Sequence, residues 1–159
     1  MAGVTNTPIF PQSIINTGIG IFHGTGLVQF ANSGTATGTM TPFFTPGPNG
    51  AILTAILVNN MDTATCTVAI LLSTGGAGGT FVQMLGQLAV GGGGTSTQYI
   101  APATNFLNGT QGPQNLPFDS CGNRILYVAA GSTLNVGLLS TIITVAGGGL
   151  NVSAIGGNF

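Results

Sequence analysis

From Ala51 to Asn59 the chain alternates with a period of two. Ile52, Thr54, Ile56 and Val58 fall on one face, and Leu53, Ala55 and Leu57 on the other. Successive side chains of a strand point to opposite faces, so this run predicts a β-strand. A short turn follows, and Thr65–Ser73 repeats the period, placing Cys66 beside Val68 and Ile70 on the core face. Further strands are predicted at Phe81–Val90, Thr95–Ile100, Ile125–Ala129, Thr133–Val145 and Leu150–Ile155, all rich in Val, Ile, Thr and aromatics. Gly137, in the middle of the longest of these, predicts a bend or bulge there. Between the runs lie turn clusters such as Pro46-Gly47-Pro48-Asn49-Gly50, Asn59-Asn60-Met61-Asp62, Asn108-Gly109 and Gly147 to Gly149.

Nothing in the pattern supports a helix, because charged i,i+4 pairs and long Ala/Leu/Lys/Glu stretches are missing. Short strands at about 8–12-residue spacing with Gly-rich turns predict an all-β protein built as a two-sheet β-sandwich. A jelly roll is the first expectation and an immunoglobulin-like sandwich the second. Residues 39–159 form the expected body. Residues 1–38 break the pattern, with short apolar pairs separated by Gly, Asn and Thr. They read as an extended N-terminal arm, whose Phe10, Phe22 and Phe30 would dock on the body or a neighbour, or else as the first strands of the same domain.

Charge changes the picture most. The 159 residues carry one basic and two acidic side chains, Arg124, Asp62 and Asp119, with one histidine, His23. Soluble domains are about 25% charged; this one is 2%. Hydrophobic residues make up 43%, so the chain folds rather than staying disordered. One arginine cannot neutralise a run of phosphates, and no basic cluster exists for an anionic membrane surface. Nucleic acid and membrane are therefore excluded as expected partners.

Acid–base catalysis, metal ligation and nucleophile activation draw on Asp, Glu, His, Lys and Cys. That pool is Asp62, Asp119, His23, Cys66 and Cys121, scattered along the chain, with Tyr99 and Tyr127 beside it. No catalytic residue, cofactor site or metal site is expected. The glycine runs are not followed by a helix and no lysine accompanies them, so they read as loops rather than phosphate cradles. Asp62 reads as a turn residue bonding its own backbone. Asp119 and Arg124 flank Cys121-Gly122 in one loop, where a local ion pair would fix loop shape. The two cysteines read as free thiols, and the two tyrosines, in predicted strands, as packing residues. The amino-terminal residues lack both the positive and the continuous apolar region of a secretory signal, and no apolar run reaches 18 residues.

A neutral exterior has a consequence. A monomer of this mass exposes on the order of 7,000 Å², and near-zero net charge promotes association. Sandwich edges are ordinarily guarded by Lys or inward charges, which this chain lacks. Both points predict a protein packed in an assembly.

Three segments carry a resemblance: PNGAILTAILVNNMDTATCTVAILLS, LPFDSCGNRILYVAAGSTLNVGLL and the closing LNVSAIGGNF. From about residue 46 onward the chain resembles small all-β virion proteins of tailed phages, of the head decoration or cement kind. The matching positions are Asn60-Met61-Asp62-Thr63, the segment from Leu126 to Leu134, and Gly156-Gly157-Asn158-Phe159. The near-total loss of charge, and Met61 where a Thr is usual, depart from that pattern. The resemblance implies a homo-oligomer, a trimer above all, on the outer capsid surface, clamping neighbouring major capsid protein subunits and assembled in the host cytoplasm. Phe43, Phe44 and Phe159 would then help close the seam between copies, with the arm lying across a neighbour. Collar, tail or head-fibre components and a host-surface or carbohydrate-binding module are the alternatives.

Overall fold

The structure, a computed structural model, describes residues 13–22, 29–30, 36–37, 40–61, 64–74, 81–92, 103–109, 112–113, 115–140 and 149–159; of the first three stretches and of residue 81 it describes the backbone alone. The strands are β1 (Ser13–Phe22), β2 (Gln29–Phe30), β3 (Ala36–Thr37), β4 (Met40–Phe44), β5 (Ala51–Asn60), β6 (Cys66–Thr74), β7 (Phe81–Val90), β8 (Thr104–Asn105), β9 (Leu126–Val128), β10 (Ser132–Ser140) and β11 (Leu150–Asn158). The fold is all-β, and one 3₁₀ turn (Phe106–Asn108) follows β8. Five strands form one antiparallel sheet in the order β1-β11-β5-β8, with β9 also on β5. Four form the other, β4-β10-β6-β7, while β2 and β3 make a small separate hairpin.

The two sheets enclose one core, which takes Leu53, Ile56 and Val58 from β5, Val68 and Ile70 from β6, and Leu134, Val136 and Leu138 from β10. Cys66 lies in this core beside Val68 and Ile70, as the alternation predicts. Neither it nor exposed Cys121 is in a disulfide. The outward face of the four-stranded sheet is also partly withdrawn from water, since Ala69 and Leu71 are buried there with Val82.

Strict alternation assigns one face of β5 incorrectly, and a bulge is the reason. Ile155 pairs with Ala55 and the next residue, Gly156, with Leu53, so Thr54 has no partner position. One extra residue reverses the parity of a strand. Leu53 therefore points inward with Ile56 and Val58, while Ile52 turns outward. Gly137, where a bulge is expected, instead pairs regularly with Met40 and Ala69. The register shifts of β10 lie on either side of it, at Leu134/Asn135 against β4 and at Leu138/Ser140 against β6.

The first strand is part of the sheet: β1 pairs with β11 from Ser13↔Asn158 to Phe22↔Leu150. Of the stretch expected to be an arm, this portion of the backbone is a partner of the body. The predicted strand Thr95–Ile100 lies outside the described residues, as do residues 141–145 of the predicted Thr133–Val145.

Asn60, fully buried at the end of β5, ties three segments together. Its amide donates to the Ala64 carbonyl at 2.8 Å and the Val90 carbonyl at 3.3 Å, and lies 3.7 Å from the Cys66 sulfur. Removing a buried amide that serves such acceptors costs about 1–3 kcal/mol. Asn60→Ala is expected to lower stability by that amount, read as an earlier urea midpoint at unchanged slope.

Candidate interaction surface

The outer face of the five-stranded sheet is set by the same parity. On β9, Leu126 and Val128 turn into the core, so Tyr127 faces out and is 58% exposed. Tyr127 stands opposite Ile52, and Ile52 stands opposite Gly157, making one row across three strands. The next rows are Ala55↔Ile155 and Leu57↔Ser153, then Asn59↔Asn151. Apolar residues thus occupy one end of the face and amides the other. Ile52, Ala55, Leu57 and Ile155 are all half-buried. No charged side chain stands on this face among the described residues.

Phe159 completes the apolar end. Its ring stacks on Tyr127 with centroids 6.5 Å apart and planes 17° from parallel. At that separation two rings in contact are offset, so each leaves most of a face uncovered by the other. The backbone holds Phe159 in place: its N–H donates to the Gly50 carbonyl at 3.2 Å, and the Asn49 amide donates to the Phe159 carbonyl at 3.3 Å. The side chain of Asn158 accepts from the Gly47 N–H at 2.9 Å. The turn read from Pro46 to Gly50 therefore serves as the clamp of the final strand.

The loop before β9 carries the other exposed aromatic, Phe118, which is 61% exposed and bridges Arg124 in an antiparallel pair. Here Asp119 organises a tight turn. Its carboxylate accepts from the Asn123 N–H at 2.8 Å, the Cys121 N–H at 2.9 Å and the Asn123 amide at 3.2 Å. Gly122 takes φ +82°, a conformation that suits glycine. Arg124 is turned away to donate to the Leu107 carbonyl at 3.2 Å, so loop amides take the place of the expected ion pair.

The backbone N–H of Asn123 above all holds the Asp119 carboxyl below its ordinary value; desolvation, the next influence in size, opposes it, and the Asn123 side chain and the Cys121 and Gly122 N–H groups add smaller lowering contributions. A depressed carboxylate contributes stability above its unfolded pKa and loses it as pH falls through the folded one. The Cys121 and Asn123 amide resonances are expected to stay constant from pH 7 down to about 4 and to move only below the usual carboxylate value of about 3.9. A midpoint above that value would refute the turn's role.

The residues expected at an interface are distributed unevenly. Phe10 lies outside the described residues. Phe22 ends β1 opposite Leu150, and Phe30 pairs with Ala36 in the small hairpin; only their backbones are described. Phe43 and Phe44, expected at a seam between copies, are 5% and 4% exposed inside the sandwich. Both pack in the core of a single copy, so neither is presented to a partner. Phe159 alone of the six is described at the surface, beside Tyr127, which the sequence assigns to packing. The parity of the short strand around Tyr127 could have exposed that assignment; Phe118, in an irregular loop, gave no periodic signal.

His23, Asp62 and Tyr99 lie outside the described residues. Among the described residues, no three His, Cys, Asp or Glu side chains gather as metal ligands. Among the described residues, no helix is long and apolar enough to cross a membrane. Comparison with protein-family models, curated proteins and solved structures finds no match for this chain.

Proposed function

We propose that this chain is a structural protein of a tailed-phage virion, a capsid decoration or cement protein acting by surface burial rather than chemistry. The observation that carries the reading is the neutrality of a folded sandwich: one basic and two acidic side chains in 159 residues. Such an exterior suits contact with neighbouring protein better than contact with water. In this reading the chain forms a homo-oligomer, a trimer, that clamps adjacent major capsid protein subunits on the outer surface of the head. Repeated weak contacts through an oligomer add up to firm retention.

Strand order supports a jelly roll. The first strand lies beside the last in β1-β11-β5-β8, and the second sheet runs β4-β10-β6-β7. Among these strands, consecutive ones cross between the sheets except at the β6–β7 hairpin and within the β8, β9 pair on β5. Two nested Greek keys would give such an order, and that arrangement recurs in viral capsid and lectin domains, an analogy of fold and not of site.

The test is the location of the chain in purified phage particles. Heads banded on a density gradient are expected to carry it, with averaged images placing its density at local threefold positions. Its absence from particles overturns the reading, and density confined to the collar, tail or head fibres transfers it to those parts. The stacked pair of exposed Tyr127 and half-buried Phe159 is the observation favouring a glycan-binding surface instead. Saturable binding of a neutral polysaccharide, lost in Tyr127→Ala, would support that second reading.

A further inference from the structure

We propose that the apolar end of the five-stranded sheet, around Tyr127 and Phe159, is the surface on which a second copy of this chain seats. The inference rests on the reading that the chain works in an assembly, and it assigns the contact between copies to one face.

The face is a continuous part of the fold rather than a scatter of exposed residues. Ile52, Ala55, Leu57, Tyr127, Ile155 and Phe159 share its apolar end. At the centre of the row Gly157 stands between Ile52 and β1 and contributes no side chain. Tyr127 and Phe159 stand at the margin as large rings anchored by the backbone, so docking orders few additional rotors. Tyrosine is among the residue types that dominate interface energetics when a partner buries them.

Size agrees with a pair of copies. Three strands of at least nine residues (β1, β11 and β5) at about 4.8 Å spacing and about 3.3 Å per residue, with the five residues of β8 and β9, cover roughly 500 Å². This face and the equal area it covers on a second copy together supply about 1,000 Å², short of the roughly 1,200–2,000 Å² of specific stable complexes. The two rings stand off the sheet, and an aromatic side chain buries about 150–250 Å². With them the pair falls inside that range.

Charge selects the occupant. An ordinary protein surface is rich in Lys, Glu, Asp and Arg. Pressing such a surface on this face would strip water from charges that the face cannot answer. The surface of this same chain imposes no comparable cost, because its charged residues are Asp62, Asp119 and Arg124 alone. Asn59 and Asn151 at the far end supply amides for a polar rim.

Sedimentation velocity of the full chain from about 1 to 100 μM tests the inference. The wild type is expected to associate reversibly. Tyr127→Ser and Ile155→Thr are each expected to weaken association at least about thirtyfold. Met84→Ser, at a 42% exposed position on the other sheet, is expected to leave it within about twofold. The chain has no Trp, so near-ultraviolet dichroism reports its two tyrosines directly and is expected to change with concentration in the wild type. A wild type that stays monomeric at 100 μM overturns the inference, as does association that both variants leave intact. A monomer that still occupies phage heads would sink this inference and spare the decoration reading. An oligomer disrupted by both variants but absent from particles would do the reverse.

Discussion

Gly156→Ala is expected to be the most damaging single-methyl change in the protein, lowering stability by about 3 kcal/mol and the melting temperature by roughly 6–12 °C. Gly156 lies on β11 where β5 carries its extra residue, Thr54. A Cβ built there would overlap the Ile52 carbonyl oxygen and lie 2.8 Å from the Leu53 Cα. Both obstacles are backbone atoms of the neighbouring strand, so no side-chain rotation relieves them. The strands must separate or the bulge must move. Losing the bulge while the pairing from Ala55 onward holds would exchange Leu53 and Ile52 between the core and the outer face. Gly91→Ala, where a Cβ meets nothing within 4 Å, is the matched control and is expected to be nearly neutral. A Gly156→Ala variant melting within 2 °C of wild type would refute the account.

The same bulge marks where sequence reading stops. The strands and the two-sheet architecture are legible because period-two alternation is local: Cys66, Val68 and Ile70 declare their common face without reference to any other strand. A bulge is not local. Thr54 is an ordinary β-branched residue, and its lack of a partner depends on how closely β11 approaches at Gly156. Gly137 illustrates the converse, since a missing side chain is compatible with a bend or with a regular, enclosed position, and the neighbours decide. The first strand is a similar case: its Gly- and Asn-interrupted pattern hides a partnership with β11 that only the register reveals.

The candidate surface was legible only in part. Neutral composition implies that some face meets protein, but it names no face. Aromatic count points equally to Phe43, Phe44 and Phe159, and burial separates them: two fill the sandwich and one stands with Tyr127. The faces of β5 and β9 become assignable only after the bulge restores their parity. Recognition of the apolar end therefore depends on a packing fact, the glycine at 156, that is also a stability fact.

Phe106→Ala is expected to cost about 3–5 kcal/mol, the largest side-chain truncation effect in the molecule. Among the described residues, Phe106 is the largest of the fully buried side chains, and it enters the core from a 3₁₀ turn rather than a strand. The turn is held from several directions. The Asn105 side chain accepts from the Leu107 N–H at 3.1 Å and from the Ile56 N–H on β5 at 3.2 Å. The Gly109 N–H donates to the Phe106 carbonyl at 3.2 Å, and Arg124 to the carbonyl of Leu107. With the backbone so fixed, the surroundings cannot collapse into the space a truncated ring leaves, and the cavity cost adds to the lost burial. Phe106→Leu keeps most of the volume and is expected to recover more than half of the loss. Thermal melting of the two variants decides the matter: an alanine variant within about 1 kcal/mol of wild type would show that the turn relaxes and that Phe106 is not its anchor. Association through the Tyr127 face is expected to persist in both variants below their melting temperatures, because Phe106 in the core and the outer face lie on opposite sides of β5.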